Sequence, residues 1–341
     1  MRAKVIKYKY NLFLGVNTQM NNFLKDIQIG NITTKGNIFL APMAGVTDLP
    51  FREICRELGA GLVYSELISS KGIVYESENT KKLTETSDIE RPVTIQLFGA
   101  DPETIAKAAT MIEDLPFDIL DINMGCPVPK VVKHGEGAGL LADYKHVGKL
   151  VKKVSEAIKK PMTVKIRKGI DGKVTAVDVA KAAEENGAKA IAVHGRMREQ
   201  YYEGLADLEI VARVKEAVTI PVIHSGDVVD VDSAMNVFNV TKCDAIMIGR
   251  GTFGNPWVFS EINHFLKTGE RLAPPSKEDK INKCLEHAKR LIEYKGEYTA
   301  IREMRRHTGH YIKGMKGAAA LRAIIGKIES YEDLKAIIEN L

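Results

Sequence analysis

Cysteine is scarce in this chain: four residues, Cys55, Cys126, Cys243 and Cys284, with no C-x-x-C pair among them. Such scatter excludes a disulfide framework and a structural zinc site, which both need clustered thiols, and it fits a reducing cytoplasm. Long hydrophobic runs are missing as well. No stretch of about 18 apolar residues occurs, so no segment reads as a bilayer-spanning helix. The first twenty residues set Lys4, Lys7 and Lys9 among scattered apolar side chains, without a sustained apolar core or a small-residue cleavage site, and no secretion signal is read there. Orderly patterning begins near Phe23; residues 1–30 are read as an N-terminal extension of unassigned structure, with Met20 as an alternative start. Net charge is missing from most of the chain. Residues 267–341 hold 16 Lys+Arg against 11 Asp+Glu, which accounts for the whole net charge of +5. A basic appendage on a neutral body points to a polyanionic partner, although a solvated helical face would carry the same charge.

What is present is a repeating alternation. Short apolar, β-branched runs fall at Ile38–Ala41, Leu62–Ser65, Val93–Leu97, Ile119–Asn123, Met162–Ile166, Ala190–His194, Pro221–His224 and Ala245–Gly249, with helical stretches between them. Continuous apolar strands suit a parallel sheet covered by helices, and eight βα units predict a closed α/β barrel, the (β/α)₈ or TIM barrel, over residues 31–266. The helices Leu49–Leu58, Pro102–Ile112 and Ala176–Glu185 carry the expected punctuation, such as Asp101 before Pro102 and Asn186-Gly187 after Glu185. Strand spacing is roughly 25 to 31 residues except after the fourth strand, where it is 43. The extra length, from Gly125 to Gly139, lies on the face where barrels hold their catalytic residues, and is expected to be an active-site loop. Beyond Lys267 the Pro274-Pro275 pair marks a linker. The remainder reads as helices, Lys277–Lys295, Tyr298–Tyr311, Ala318–Ile328 and Tyr331–Asn340, forming an all-helical C-terminal domain over 267–341.

Several residues carry chemistry. Strands seven and eight end in Ser225-Gly226-Asp227 and Gly249-Arg250-Gly251, where a barrel binds phosphate through backbone N–H groups and Arg250 adds a fixed cation. Strand one runs into Ala41-Pro42-Met43-Ala44-Gly45, small and polarizable residues that let a flat ring approach the backbone. Gln96, Lys165 and His194 are polar where a barrel buries apolar side chains, so they need partners, and a polar heterocycle at the mouth would supply them. Cys126 leaves strand four in a turn shaped by Gly125 and Pro127. A thiol with a pKa near 8.5 stays protonated at neutral pH and can act as a general acid. His134 in the same insert keeps a nucleophilic pair open as an alternative.

Together these motifs resemble the tRNA-dihydrouridine synthase family, and within it the bacterial branch called type B. The likeness runs from about Ile38 to Leu341 through LAPMAGVTDLPFR (Leu40–Arg52), QLFG (Gln96–Gly99), DINMGCPVPKVVKHGEGAGLL (Asp121–Leu141), VKIRKG (Val164–Gly169), VHGR (Val193–Arg196), HSGDV (His224–Val228) and IMIGRGTFGNPW (Ile246–Trp257). The resemblance implies FMN, with Pro42, Met43 and Ala44 beside the ring and Gln96, Lys165 and His194 bonded to it. Ser225, Gly226, Asp227, Gly249 and Arg250 would surround its phosphate. It also implies NADPH, or NADH, as reductant, hydride delivery to a tRNA uracil, and protonation of the uracil by Cys126. Asn123 would hydrogen-bond that base, and Arg167 would hold the base or a neighbouring phosphate. On the tail, Arg302, Arg305 and Arg306, spaced to share one helix face, and Lys313 would grip tRNA phosphates. Extrusion of the base into the pocket is expected. The chain departs from the family pattern at its N-terminal extension and at Ser225, where many members carry Asn. No membrane contact, no metal and no obligate protein partner is expected, and a cytoplasmic monomer is the simplest picture. Two rivals stand beside this reading: an FMN barrel oxidoreductase acting on a free pyrimidine or small enone, and a flavin-free RNA-binding protein.

Overall fold

The computed structural model describes residues 23–339; Met20 and the lysines before it lie outside the described residues, as does Asn340. Eight strands, β1 (Ile38–Leu40), β2 (Val63–Ser69), β3 (Val93–Phe98), β4 (Ile119–Met124), β5 (Met162–Ile170), β6 (Ile191–Met197), β7 (Val222–Ser225) and β8 (Ala245–Ile248), form the barrel. Neighbours in sequence are neighbours in space and pair in parallel, and β8 pairs with β1. The ring closes where Leu40 N–H donates to Leu62 C=O at 2.9 Å and Gly61 N–H donates to Ile38 C=O at 2.7 Å. The TIM barrel read from the sequence is the fold observed.

Uniformly apolar strands follow from burial on both faces. Outward side chains of the strands pack under the helices in one large core, whereas Phe39, Leu62, Tyr64, Ile119, Ala192, Ile223 and Met247 belong to a smaller cluster inside the ring. Ile27 and Ile29 join that inner cluster. They belong to a hairpin, Gln28–Ile29 paired with Ile32–Thr33, that turns at Gly30-Asn31 with Gly30 at φ 59°. Part of the stretch assigned to the extension is therefore packed against the barrel interior.

The longer covering helices are α1 (Leu49–Glu57), α2 (Pro102–Ile112), α3 (Tyr144–Ala157), α4 (Ala176–Glu185), α5 (Leu208–Ala217), α6 (Val231–Thr241) and α7 (Val258–Thr268). Asp48, Asp101, Asp143, Asp207 and Asp230 each cap a helix by accepting from backbone N–H groups of the first turn. The insert after β4 is more ordered than an open loop. Its Pro129–Val132 turn and its 3₁₀ turn Gly137–Ala142 fold back, and Ala138 N–H donates to the Cys126 carbonyl at 3.0 Å.

Four helices, α8 (Lys277–Lys295), α9 (Glu297–Tyr311), α10 (Ala318–Ile325) and α11 (Tyr331–Glu339), make the tail, with a core of its own around Cys284, Leu291, Ile301, Met304 and Leu334. The tail docks on α1. His287 stacks on Phe51 with ring centroids 5.3 Å apart, Arg290 pairs with Glu57 at 2.8 Å and Lys295 pairs with the buried Asp48 at 2.8 Å.

Candidate active site

At the C-terminal ends of the strands lies a cleft of ≈ 660 Å³. Its walls come from the segments after β1, β4, β6, β7 and β8, from Lys165 and Arg167 on β5, and from Arg306 on α9. Of the residues singled out from sequence, Pro42, Met43, Ala44, Asn123, Cys126, Lys165, Arg167, His194, Ser225, Gly226, Asp227, Gly249, Arg250 and Arg306 all meet there. Gln96, Arg302, Arg305 and Lys313 do not line it.

One wall offers backbone donors and a cation. Gly226 (φ 126°) and Asp227 (φ 53°) turn the chain sharply after β7, and the backbone N–H groups of Gly226, Asp227, Arg250 and Gly251 donate to no other described residue. Successive N–H groups left free in this way make a phosphate-sized concavity. The Asp227 carboxylate takes no part in it. It accepts two bonds from Arg196 (2.9 and 2.8 Å), one from Ala206 N–H (2.7 Å) and one from Arg250 (3.2 Å), so it anchors the loop and aims the arginines. The Ser225 hydroxyl has no hydrogen-bond partner among the described residues. Arg250 also lies over the Tyr202 ring, 4.5 Å from its centroid.

The barrel mouth beside it presents donors without acceptors. The Lys165 ammonium forms no hydrogen bond with another described residue, and burial next to Arg167 lowers its pKa to about 8. The His194 ring is held neutral, first by burial and then by Lys165, Arg167 and Arg196. Arg196 Nη1 lies 3.2 Å from His194 Nε2; a guanidinium only donates, so Nε2 accepts and Nδ1 carries the proton. That N–H also lacks a described partner. A group with several acceptor atoms, partly anionic, matches this set.

Opposite stands Cys126. Burial raises its thiol pKa above the ordinary value, against smaller opposing effects of the Val128 N–H, Arg167 and Lys165. The thiol is therefore protonated at neutral pH. Asn123 shapes its turn, with Oδ1 accepting from Gly125 N–H at 3.1 Å and Cys126 N–H at 2.8 Å, while Nδ2 donates to Gln96 Oε1 at 2.9 Å. One N–H of Asn123 remains for the cleft. Gln96 sits beneath the floor, fully buried, and its amide is occupied by Asn123 and by Asp121. Arg167 is likewise engaged: Nε donates to Gly125 C=O (2.8 Å), and Nη1 to Met197 C=O (3.1 Å) and Tyr201 C=O (2.9 Å), tying the loop after β4 to that after β6. Nη2 is the part left to meet a ligand. His134 is exposed and outside the cleft, so it makes no pair with Cys126.

The tail cations separate by role. Arg306 donates to the Gly45 carbonyl and reaches the cleft rim. Arg305 turns inward and gives Nε and Nη2 to the Ile328 carbonyl at 3.1 and 2.6 Å. Arg302 is exposed and stacks 3.4 Å from the Tyr298 ring centroid, and Lys313 is exposed. Sequence reading missed Arg196, Tyr201 and Tyr202. The only signal for them was an Arg two residues beyond His194 and a pair of tyrosines on the same face of the barrel.

The family described as Dihydrouridine synthase (Dus) matches residues 39–340. A probable tRNA-dihydrouridine synthase of Rickettsia bellii is 42% identical over 88% of this chain and 92% of its own. The tRNA-dihydrouridine synthase B of Pseudomonas aeruginosa is 40% identical over 89% and 92% respectively. Among solved structures, a histamine dehydrogenase from Rhizobium aligns with TM-score 0.57 at 14% identity, covering 72% of this chain and 48% of that one. An old yellow enzyme homologue from Zymomonas mobilis aligns with TM-score 0.52 at 14% identity, covering 76% and 96%. At such identities the structural likeness speaks to the barrel alone, whereas the family match and the close relatives span nearly the whole sequence: the chain belongs to the dihydrouridine synthase family.

Proposed function

We propose that this chain reduces uridines of tRNA to 5,6-dihydrouridine, with FMN in the cleft and NADPH as reductant. The observation that carries the reading is the meeting, in one chamber, of the protonated Cys126 thiol, the free N–H groups after β7 and β8, and a cation from the basic tail. FMN fits the residues present: its phosphate suits the N–H groups of Gly226, Asp227, Arg250 and Gly251 and the Arg250 guanidinium, and its ring oxygens and nitrogens suit Lys165 and the His194 N–H. Pro42, Met43 and Ala44 would line the ring, on a loop locked by Met43 N–H to Thr47 Oγ1 (3.0 Å) and Thr47 N–H to Met43 C=O (3.0 Å).

FMN held there would supply, after reduction by NADPH, hydride for one carbon of the uracil double bond. Cys126 then gives its proton to the other carbon, and the cleft's opening lets water restore it. The free Asn123 N–H and Arg167 Nη2 orient the base, and the raised thiol pKa keeps the proton in place until it is needed. Arg306, Arg302 and Lys313 contact phosphates and fix the RNA without reading its sequence, leaving the uridine to be unstacked into the cleft. The rival action on a small enone uses the same cleft but gives no role to a basic tail that reaches its rim. Purified chain, FMN, NADPH and tRNA should yield dihydrouridine by mass spectrometry of digested RNA; flavin turnover with free uracil but none with tRNA would favour the rival.

A further inference from the structure

Asp121 touches neither the cleft nor solvent, yet it commands one end of a buried chain of hydrogen bonds that ends at Cys126. The parallel register sets Gln96 on β3 beside Asp121 on β4 and Asp121 beside Thr163 on β5. Thr163 Oγ1 donates to Asp121 Oδ1 at 2.6 Å and Gln96 Nε2 donates to Asp121 Oδ2 at 2.7 Å. Asn123 Nδ2 in turn donates to Gln96 Oε1, and Asn123 Oδ1 receives the N–H groups of Gly125 and Cys126.

Resting on the reading of Cys126 as proton donor, we propose that Asp121 is a positioning residue that fixes the direction of this chain and thereby the turn that presents the Cys126 thiol. A carboxamide has nearly the same shape either way round, so its orientation is set by what it faces. With its oxygen toward Asp121, Gln96 would place acceptor against acceptor. Its nitrogen would then face Asn123, and Asn123 would have to turn its own nitrogen onto the two backbone donors of the Cys126 turn. An acceptor-only group at one end and backbone donors at the other leave one consistent arrangement. That arrangement also keeps a single Asn123 N–H for the pyrimidine.

The test uses the full chain with FMN, NADPH and tRNA, and compares Asp121→Ala, Asp121→Asn, Thr163→Val and the double Asp121→Asn/Thr163→Val. Four quantities are read: hydrogen exchange at the Cys126 backbone amide, the rate of flavin reduction by NADPH, and kcat and KM for uridine reduction. Asp121→Ala should speed Cys126 amide exchange roughly tenfold and lower kcat roughly ten- to a hundredfold, with flavin reduction and KM for tRNA within about twofold of wild type. Asp121→Asn should stay close to wild type, because its oxygen can keep Gln96 while Thr163 Oγ1 accepts its new N–H. Thr163→Val alone should also be tolerated, whereas in the double variant the new N–H has no acceptor, the buried amide no longer holds one orientation toward Gln96, and the readouts should move toward Asp121→Ala. Unchanged exchange and kcat in Asp121→Ala would overturn the proposal, as would equal loss of both half-reactions or a double variant that matches Asp121→Asn. If Asp121→Ala fails to fold, the asparagine series decides alone. Should wild type reduce no uridine, the functional reading fails, and amide exchange still decides whether Asp121 orders the turn.

Discussion

Lys165 shows how a single residue reports on the site around it. An ammonium at the barrel mouth with its pKa lowered to about 8, and no hydrogen-bond acceptor among the described residues, is held at a cost that nearby Asp121 offsets in part and an anionic ligand would offset further. Lys165→Met should therefore weaken FMN retention roughly ten- to a hundredfold, measured by fluorescence of released flavin, while leaving the melting temperature of the flavin-free protein equal or higher. A lower melting temperature with unchanged retention would assign Lys165 to the scaffold instead. Its position was legible because a lysine inside an apolar strand contradicts the strand's own pattern. Gln96 carried the same signal, yet it lies below the cleft. Sequence marks a buried polar residue, but which neighbour satisfies it depends on cross-strand register, here with Asp121 and Asn123. Asp227 was legible as part of the glycine turn after β7 and illegible in role, since Arg196, which pairs with its carboxylate, comes from another strand.

At the scale of elements, α9 divides its cations by the faces it presents. Arg302, Arg305 and Arg306 are close in sequence, and helical spacing suggested one RNA-facing side. The neighbouring loops decide otherwise, because the Ile328 carbonyl just beyond α10 captures Arg305 while the Gly45 carbonyl after β1 captures Arg306. Arg305→Ala should cost about 1–3 kcal/mol in denaturant unfolding with little change in tRNA affinity. Arg306→Ala should do the reverse, lowering kcat/KM for tRNA roughly tenfold with a small stability change. Matching effects of the two substitutions would contradict this division. Strand and helix bounds were readable to within a residue or so for α2, α4 and α8, where Pro102, Gly187 and Ser276 punctuate the chain. The hairpin under the barrel was not, since each strand spans two residues and no periodicity can register there. Its Gly30-Asn31 turn between isoleucines was the one local cue.

Across the whole molecule, the seam between barrel and tail is built on two buried imidazoles. His287 and His307 lie 4.8 Å apart, both against Phe51 of α1, and burial lowers the pKa of His287 to about 3 and that of His307 well below its ordinary value. Unfolded, each binds a proton near pH 6.5, so the stability they contribute is full above that value and falls as pH drops through it toward the folded pKa. Thermal melts between pH 7 and 5 should show a decline that His287→Phe reduces, at about 1.4 kcal/mol per pH unit for each histidine affected. A decline of the same steepness in the variant would place the acid sensitivity elsewhere. Docked in this way, the tail brings Arg306 to the cleft where Cys126 faces the donors that suit a flavin. The most direct test of that account is the division of half-reactions in Cys126→Ala: flavin reduction by NADPH should proceed at the wild-type rate while dihydrouridine formation in tRNA falls by at least about a hundredfold. Equal loss of both steps, or undiminished dihydrouridine, would contradict the assignment of Cys126 as proton donor.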